Sequence, residues 1–414
     1  MLNFSQPHIS KHQMLKKAFI FLTVFGYIYT LTFDIFLNRY FQIPAAFLGV
    51  FIAFSFRNKG KTPIVASREL FLIFLANFCY YAIGVDDVKR VVVNSLIFMP
   101  CALYFNLYVA GNEKRLKTSI VIFFACLFLS TILLAANHIN PITGNNLREI
   151  LIGAPIVQSP SGICANIFTF GYQVAAFSTF VFVYTLLNNR TFLETFLVLI
   201  LCLLPVFFGM QRSSLVVFGA ASAFTIIFYY RLKSIPILSL AAAIVLVFAF
   251  TFSNTTDVAQ ENILSKEQEN SQQGENRSGL VTENLKIYTD YPFGLIFYSK
   301  TWQEVSKHNS TFQGGLTSHN AYLMFITYLG PFIGISLLLA IYYRLGGIFK
   351  AVLLNIRKRE TALMAALCFA FIAVSLNSLF HNAWLISANG PTVFLFFCIL
   401  QLDYIKSTDK NICS

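Results

Sequence analysis

The chain has 414 residues, of which 57% are hydrophobic and only 12% charged, with mean hydropathy +0.66 and net charge +12. So few charges cannot cover the surface of a water-soluble domain of this length, which excludes a soluble globular class. Apolar runs of about 20 residues recur from end to end, enough to cross a bilayer as helix, whereas a β-barrel would show alternating segments of about 10 residues.

The expected fold is an all-α polytopic membrane protein with about twelve transmembrane helices. The spans read as 18–37, 41–56, 69–84, 91–110, 118–136, 166–187, 192–210, 213–230, 234–252, 320–343, 361–380 and 390–405. The second, third and twelfth are short. The first is long and lacks a small-residue cleavage site, so it reads as a span and not as a signal peptide. Two polar segments interrupt the series. Residues 137–165 contain His138, Arg148 and the run Gln158-Ser159-Pro160-Ser161-Gly162. Residues 253–319 form the major loop, with 8 acids against 5 bases. Its first part, Asn254 to Asn276, has the composition of a flexible segment. Its second part carries Leu280, Ile287, Tyr291, Phe297 and Trp302, enough apolar surface for one or two short helices, interrupted by Pro292 and Gly294. The chain thus divides into spans 1–9 (1–252), a large loop (253–319), and spans 10–12 with a tail (320–414).

Charge orients these spans. Lys11, Lys16, Lys17, Arg57, Lys59, Lys61, Arg68, Lys114, Arg115, Lys117, Arg190, Arg231, Lys233, Arg344, Lys350, Arg357, Lys358, Arg359, Lys406 and Lys410 are 20 of the 30 basic residues. They occupy alternate connections if both termini are cytoplasmic, as the positive-inside rule requires. The net charge is then a topogenic signal, and no nucleic-acid partner is needed. The large loop is then expected on the side opposite the cytoplasm. Eight cysteines fall singly, mostly inside apolar runs and without CxxC spacing. They read as small buried hydrophobes, so neither a disulfide framework nor a metal site is expected.

Three outward-facing basic residues carry the functional reading. Arg212 lies in Gly209-Met210-Gln211-Arg212-Ser213-Ser214, a tight turn between two spans. Arg277 stands where the flexible half of the large loop gives way to its structured half. His319, in Ser318-His319-Asn320-Ala321-Tyr322-Leu323, opens the tenth span. Each also has a bland reading. Arg212 can snorkel to headgroups, Arg277 can be a solvated loop charge, and His319 can help start a helix with Ser318 as N-cap. Arg148, Lys89 and Arg90 read as ordinary interfacial charges. His381-Asn382 repeats the His-Asn pair at the outer end of the eleventh span and is read as secondary. Taken together, two arginines suit a diphosphate, because the guanidinium fork donates bidentate bonds and stays charged. A histidine titrates near neutrality and can accept a proton from an attacking hydroxyl. No acidic metal cluster accompanies them in the sequence, and the reading needs no cofactor. The guanidinium groups would stabilise the leaving diphosphate.

These residues resemble the O-antigen polymerase and ligase superfamily (Wzy- and WaaL-type proteins, with the related protein O-oligosaccharyltransferases). His319-Asn320, nine residues, then Gly330-Pro331-Phe332-Ile333 is similar to the family pattern of His, then Asn, Ser or Gln, nine residues, then Gly. Ile333 departs from the Thr or Val frequent in ligases. Gly209 to Ser214 resembles the family's Arg-containing turn. Asn276-Arg277 through Tyr291-Pro292-Phe293-Gly294 resembles its Arg, amphipathic helix, Pro and Gly pattern, without the usual second Gly. The resemblance runs from about 200 to 345. It implies an inverting C-type glycosyltransferase that needs no nucleotide sugar, whose donor is a glycan on undecaprenyl diphosphate. Arg212 and Arg277 would bind the diphosphate, and His319 would be the catalytic base or orienting group. Gln211, Asn320 and Tyr322 would support them. A polymerase is preferred, with a chain-length regulator as a possible partner; a ligase joining the glycan to lipid A–core is the alternative. From other classes, a twelve-span transporter would have Asp34 as its clearest intramembrane charge, and a non-catalytic scaffold would need no site.

Overall fold

A computed structural model describes residues 11–35, 45–58, 64–188, 191–239, 242–243, 277–309, 312 and 316–412. The expected flexible stretch 254–276 and most of the ninth span lie outside the described residues. The chain is all-helical, and among the described residues there is no strand. The helices are α1 (Lys11–Thr32), α2 (Ala45–Ser55), α3 (Ser67–Asn77), α4 (Val88–Leu103), α5 (Glu113–Ile139), α6 (Pro141–Ile152), α7 (Ile167–Leu187), α8 (Phe192–Phe208), α9 (Arg212–Tyr230), α10 (Arg277–Asp290), α11 (Trp302–Ser306), α12 (Ala321–Leu354), α13 (Ala362–Asn377) and α14 (Gly390–Ile412). Two of them continue as π-helical turns, α3 through Phe78–Gly84 and α4 through Tyr104–Val109. Among the described residues, seven helices are long and apolar enough to cross a membrane, and Leu193–Phe208 is a shorter apolar one.

Short polar residues start these helices where the sequence would have them. Asp87, Asn112 and Asn140 accept backbone N–H bonds at the starts of α4, α5 and α6, and Thr191 with Glu194 forms a capping box on α8. Helix α6 falls in the 137–165 segment, where the sequence reading placed no element. Asn140 as cap and Pro141 in the first turn account for it. Helix α12 runs to Leu354, eleven residues past the expected end at 343. It carries Arg344 inside the bundle, where the guanidinium meets Asp403 at 3.3 Å and Glu69 at 3.9 Å.

At the centre α7 packs along α13. Small buried residues line both helices, with Gly171, Ala175, Ala176 and Ser178 on one and Ala366, Ala370 and Ala373 on the other. Close backbone approach of this kind maximises dispersion where lipid supplies no hydrophobic drive. The connections then fall into two sets at opposite ends. At one end Arg115 donates to the carbonyls of Phe56 and Tyr108, Arg357 to that of Tyr229, and Lys406 to that of Glu360. At the other end lie the turn before α9, the segment before α12, and the connection 378–389. Basic residues mark the first end, and the candidate residues Arg212 and His319 mark the second.

Arg148 is not the interfacial charge its sequence context suggested. It is fully buried in α6. Its guanidinium donates to the carbonyls of Gly162 (2.9 Å), Gln158 (2.9 Å) and Cys164 (2.8 Å), and to the Oδ1 atoms of Asn145 (2.8 Å) and Asn137 (3.4 Å). A single side chain therefore holds the irregular 153–165 connection that leads into α7. Arg148→Ala should lower stability by at least about 3 kcal/mol, because several buried acceptors lose a charged donor at about 1–3 kcal/mol each. Arg148→Lys should rescue little, since an ammonium cannot span the fork. Thermal melting of the purified protein in detergent, with the amount of protein in membranes, checks both.

Candidate functional site

The site end is organised by the connection between α13 and α14, residues 378–389. It is irregular yet mostly buried, with Trp384 1% exposed. Backbone in such a place must find internal partners. It finds them on several other elements. Tyr172 of α7 donates its hydroxyl to the carbonyl of Ala383. Asn94 of α4 donates to the carbonyl of Ile386 at 3.2 Å. The amide of Ala321, first residue of α12, donates to the carbonyls of Ser378 (3.0 Å) and His381 (3.1 Å).

This connection brings the sequence candidates together. Arg212 is the first residue of α9 and is half-buried. The next residue, Ser213, places its Oγ 3.1 Å from His381 Nε2, with the donor set by the histidine tautomer. Beside His381, Asn382 donates its Nδ2 to Thr317 Oγ1 at 2.8 Å. Thr317 is two residues before His319. The Arg212 turn and the His319 segment thus bond to adjacent residues of one connection. His319 is half-buried and takes a left-handed backbone (φ 50°), which lifts it out of the helix that follows. Histidine is among the residues that tolerate this region. The N-cap of α12 is Asn320, whose Oδ1 accepts from the Leu323 amide at 2.9 Å. Ser318 does not cap, in contrast to the bland reading; its buried Oγ has no hydrogen-bond partner among the described residues.

Gln211 is buried at the N-cap position of α9, and its Nε2 donates to the Gly209 carbonyl at 2.7 Å. Its role is to shape the turn. A Cβ on Gly171 would come within 2.7 Å of Gln211 Oε1 and 3.4 Å of Asn377 Nδ2, so the glycine leaves room for those side-chain ends at this turn. Tyr322 donates to the Ser375 carbonyl at 3.0 Å and sets its ring edge against Trp384, 5.0 Å between centroids. It braces α12 on α13 immediately below His319.

Helix α10 is described from Arg277, whose side chain lies outside the described residues. The helix is held against α12. Asn284 bonds Thr327 Oγ1 at 2.9 Å and approaches Met324 Sδ at 3.5 Å, and further along Gly294 lies against Gly330.

Helices α9, α12 and α14 begin at this end. Their N-terminal dipoles, with Arg212 at the start of α9, make it favourable for anions. Among the described residues no group of three or more His, Cys, Asp or Glu is placed to hold a metal ion. No protein-family model matches the chain, and no curated protein matches it. Sequence reasoning ranked His381 as secondary and gave Tyr172 no role. The repeated His-Asn pair was the available signal for His381; nothing local marks Tyr172.

The Gly330 of the His-Asn…Gly spacing has a structural reason. It breaks helical geometry inside α12 (φ 77°, ψ 168°) just before Pro331, which disfavours helical backbone in the residue before it. The freed space receives the loop, since a Cβ on Gly330 would lie 1.9 Å from the Phe293 carbonyl oxygen. Gly330→Ala should cost at least about 1–3 kcal/mol in backbone strain and push the 293–298 turn away from α12. Hydrogen exchange should show faster amides over 295–306 while α7 and α13 are unchanged.

Proposed function

We propose that the protein transfers a glycan from undecaprenyl diphosphate to an acceptor glycan at the periplasmic face of the bacterial inner membrane, as a polymerase of O-antigen or related repeat units. The same reading gives twelve spans of a C-type glycosyltransferase with both termini cytoplasmic. One observation carries it: Ser213, next to Arg212, and Thr317, two residues before His319, are tied to the adjacent residues His381 and Asn382. A cation and a histidine at one membrane face suit a substrate with an anionic leaving group and a hydroxyl nucleophile. An open apolar cleft of about 350 Å³ starts at Tyr322 and passes between α12 and α13 to Phe349. It offers a lipid tail a course beside the polar site.

In this mechanism Arg212 and Arg277 hold the diphosphate. The acceptor hydroxyl oxygen bonds to the anomeric carbon as the bond to the diphosphate breaks, and the electron pair leaves with the diphosphate. Attack opposite the leaving group inverts the configuration. The guanidinium charges favour the transition state because negative charge grows on the leaving oxygen. His319 meets the acceptor hydroxyl as the base that takes its proton or as the group that orients it for release of the proton to water.

His319→Ala and Arg212→Ala should each reduce polymer by about 100-fold or more at normal protein levels. Arg212→Lys should recover only part of it, because the bidentate fork is lost. Glycan profiles of a deletion strain carrying each variant read this out. The deletion itself should leave core capped by single repeats; bare core would mean a ligase instead. A normal profile in all variants would remove the site.

A further inference from the structure

His381 has no part in the mechanism above, although the start of α9 and the start of α12 both bond to it. It is 7% exposed. Its ring stands against Phe168 and Tyr172, with 5.4 Å and 5.9 Å between centroids. These two residues are four apart in α7 and so share one face of that helix. The backbone carbonyl of His381 accepts from the Ala321 amide at 3.1 Å. With the residue fixed between α7 and α12, its Nε2 lies 3.1 Å from Ser213 Oγ.

This contact holds the first turn of α9. Helices α4, α5, α6, α8 and α12 begin on a side chain that accepts a backbone amide, and α9 does not. A helix end without such a cap is prone to fray. Here the turn is held from the side instead. Ser214 Oγ donates to the Gly171 carbonyl of α7 at 2.8 Å, and Ser213 meets His381. Both serines are buried. Successive residues of a helix point roughly 100° apart, so two such anchors set the rotation of the turn about its axis. They thereby set the direction in which Arg212, one residue earlier, leaves the helix.

We infer that His381 is a positioning residue: through Ser213 it holds the first turn of α9 so that Arg212 meets the diphosphate of the lipid-linked glycan. The inference rests on the diphosphate-binding role proposed above for Arg212. A guanidinium makes its two parallel bonds to phosphate oxygens only in a narrow range of orientations. A turn that rotates or frays therefore weakens binding even with the arginine present. The alternative is that the Ser213–His381 contact serves folding alone.

The test measures binding of geranylgeranyl diphosphate to the full-length protein in detergent, with a melting temperature taken on each sample. Wild type should bind, and Arg212→Ala should lose about 10-fold or more in affinity. His381→Leu and Ser213→Ala should each weaken binding by about 5- to 10-fold. The double variant should bind no worse than either single one, since both changes remove the same contact. His381→Gln keeps an amide that can bond Ser213 and should bind within about three-fold of wild type. Additive losses in the double variant would overturn the inference. So would His381→Leu binding within about three-fold of wild type while Arg212→Ala does not, which leaves the diphosphate role of Arg212 standing. Equal binding by wild type and Arg212→Ala would remove that role and the inference with it. Should His381→Leu not fold, Ser213→Ala decides: weaker binding at an unchanged melting temperature supports the role, and unchanged binding refutes it.

Discussion

Irregular backbone buried inside a protein has no water to satisfy it, and that constraint organises this protein. The connection 378–389 must be bonded from within. It draws on Ser213, Thr317, Tyr172, Asn94 and Asp34, and its own carbonyls receive the first amide of α12. Each of these bonds brings another helix end to the same place. The need to satisfy one buried segment thus assembles α1, α4, α7, α9, α12, α13 and α14 around one polar patch. Buried networks of this kind specify a unique arrangement, because half-made versions leave polar atoms stranded.

Glycine makes the assembly possible at the points of closest approach. Gly171 lets α7 meet the Gln211 turn, Gly330 admits the Phe293 carbonyl, and Gly390 lets α14 touch the end of α1. Helix direction adds a second effect. The helices that begin at this end point their N-terminal dipoles toward it, which favours an anionic group, and Arg212 adds a full charge. At α14 the dipole is already answered by Asp34, so that carboxylate is stabilised in place and does not compete for a distant cation. The opposite end is built from arginine and lysine bonds to carbonyls and from the Arg344 contacts with Glu69 and Asp403.

Much of the helical framework was legible in the chain. Apolar run lengths located α4, α5, α7, α8 and α9 to within a few residues at most ends, because bilayer-crossing helices satisfy their backbone locally. The breaks at Pro292 and Gly294 also read correctly, since turn chemistry is local. The errors share one cause. Helix α12 outran its expected end because Arg344 finds acids on two other helices. Arg148 looked like a surface charge because its acceptors are mostly backbone carbonyls, which no composition reveals. Ser318 looked like a cap until the backbone placed Asn320 there.

The sequence by itself determined the all-helical character and the apolar segments long enough to cross a membrane. Hydropathy is a property of each segment alone. Only the tertiary structure decided that the Arg212 turn and the His319 segment meet at His381-Asn382, and that Tyr172 bonds the same connection. Those contacts depend on which helix ends pack together, and packing is set by small-residue surfaces and buried hydrogen bonds between segments far apart in the chain.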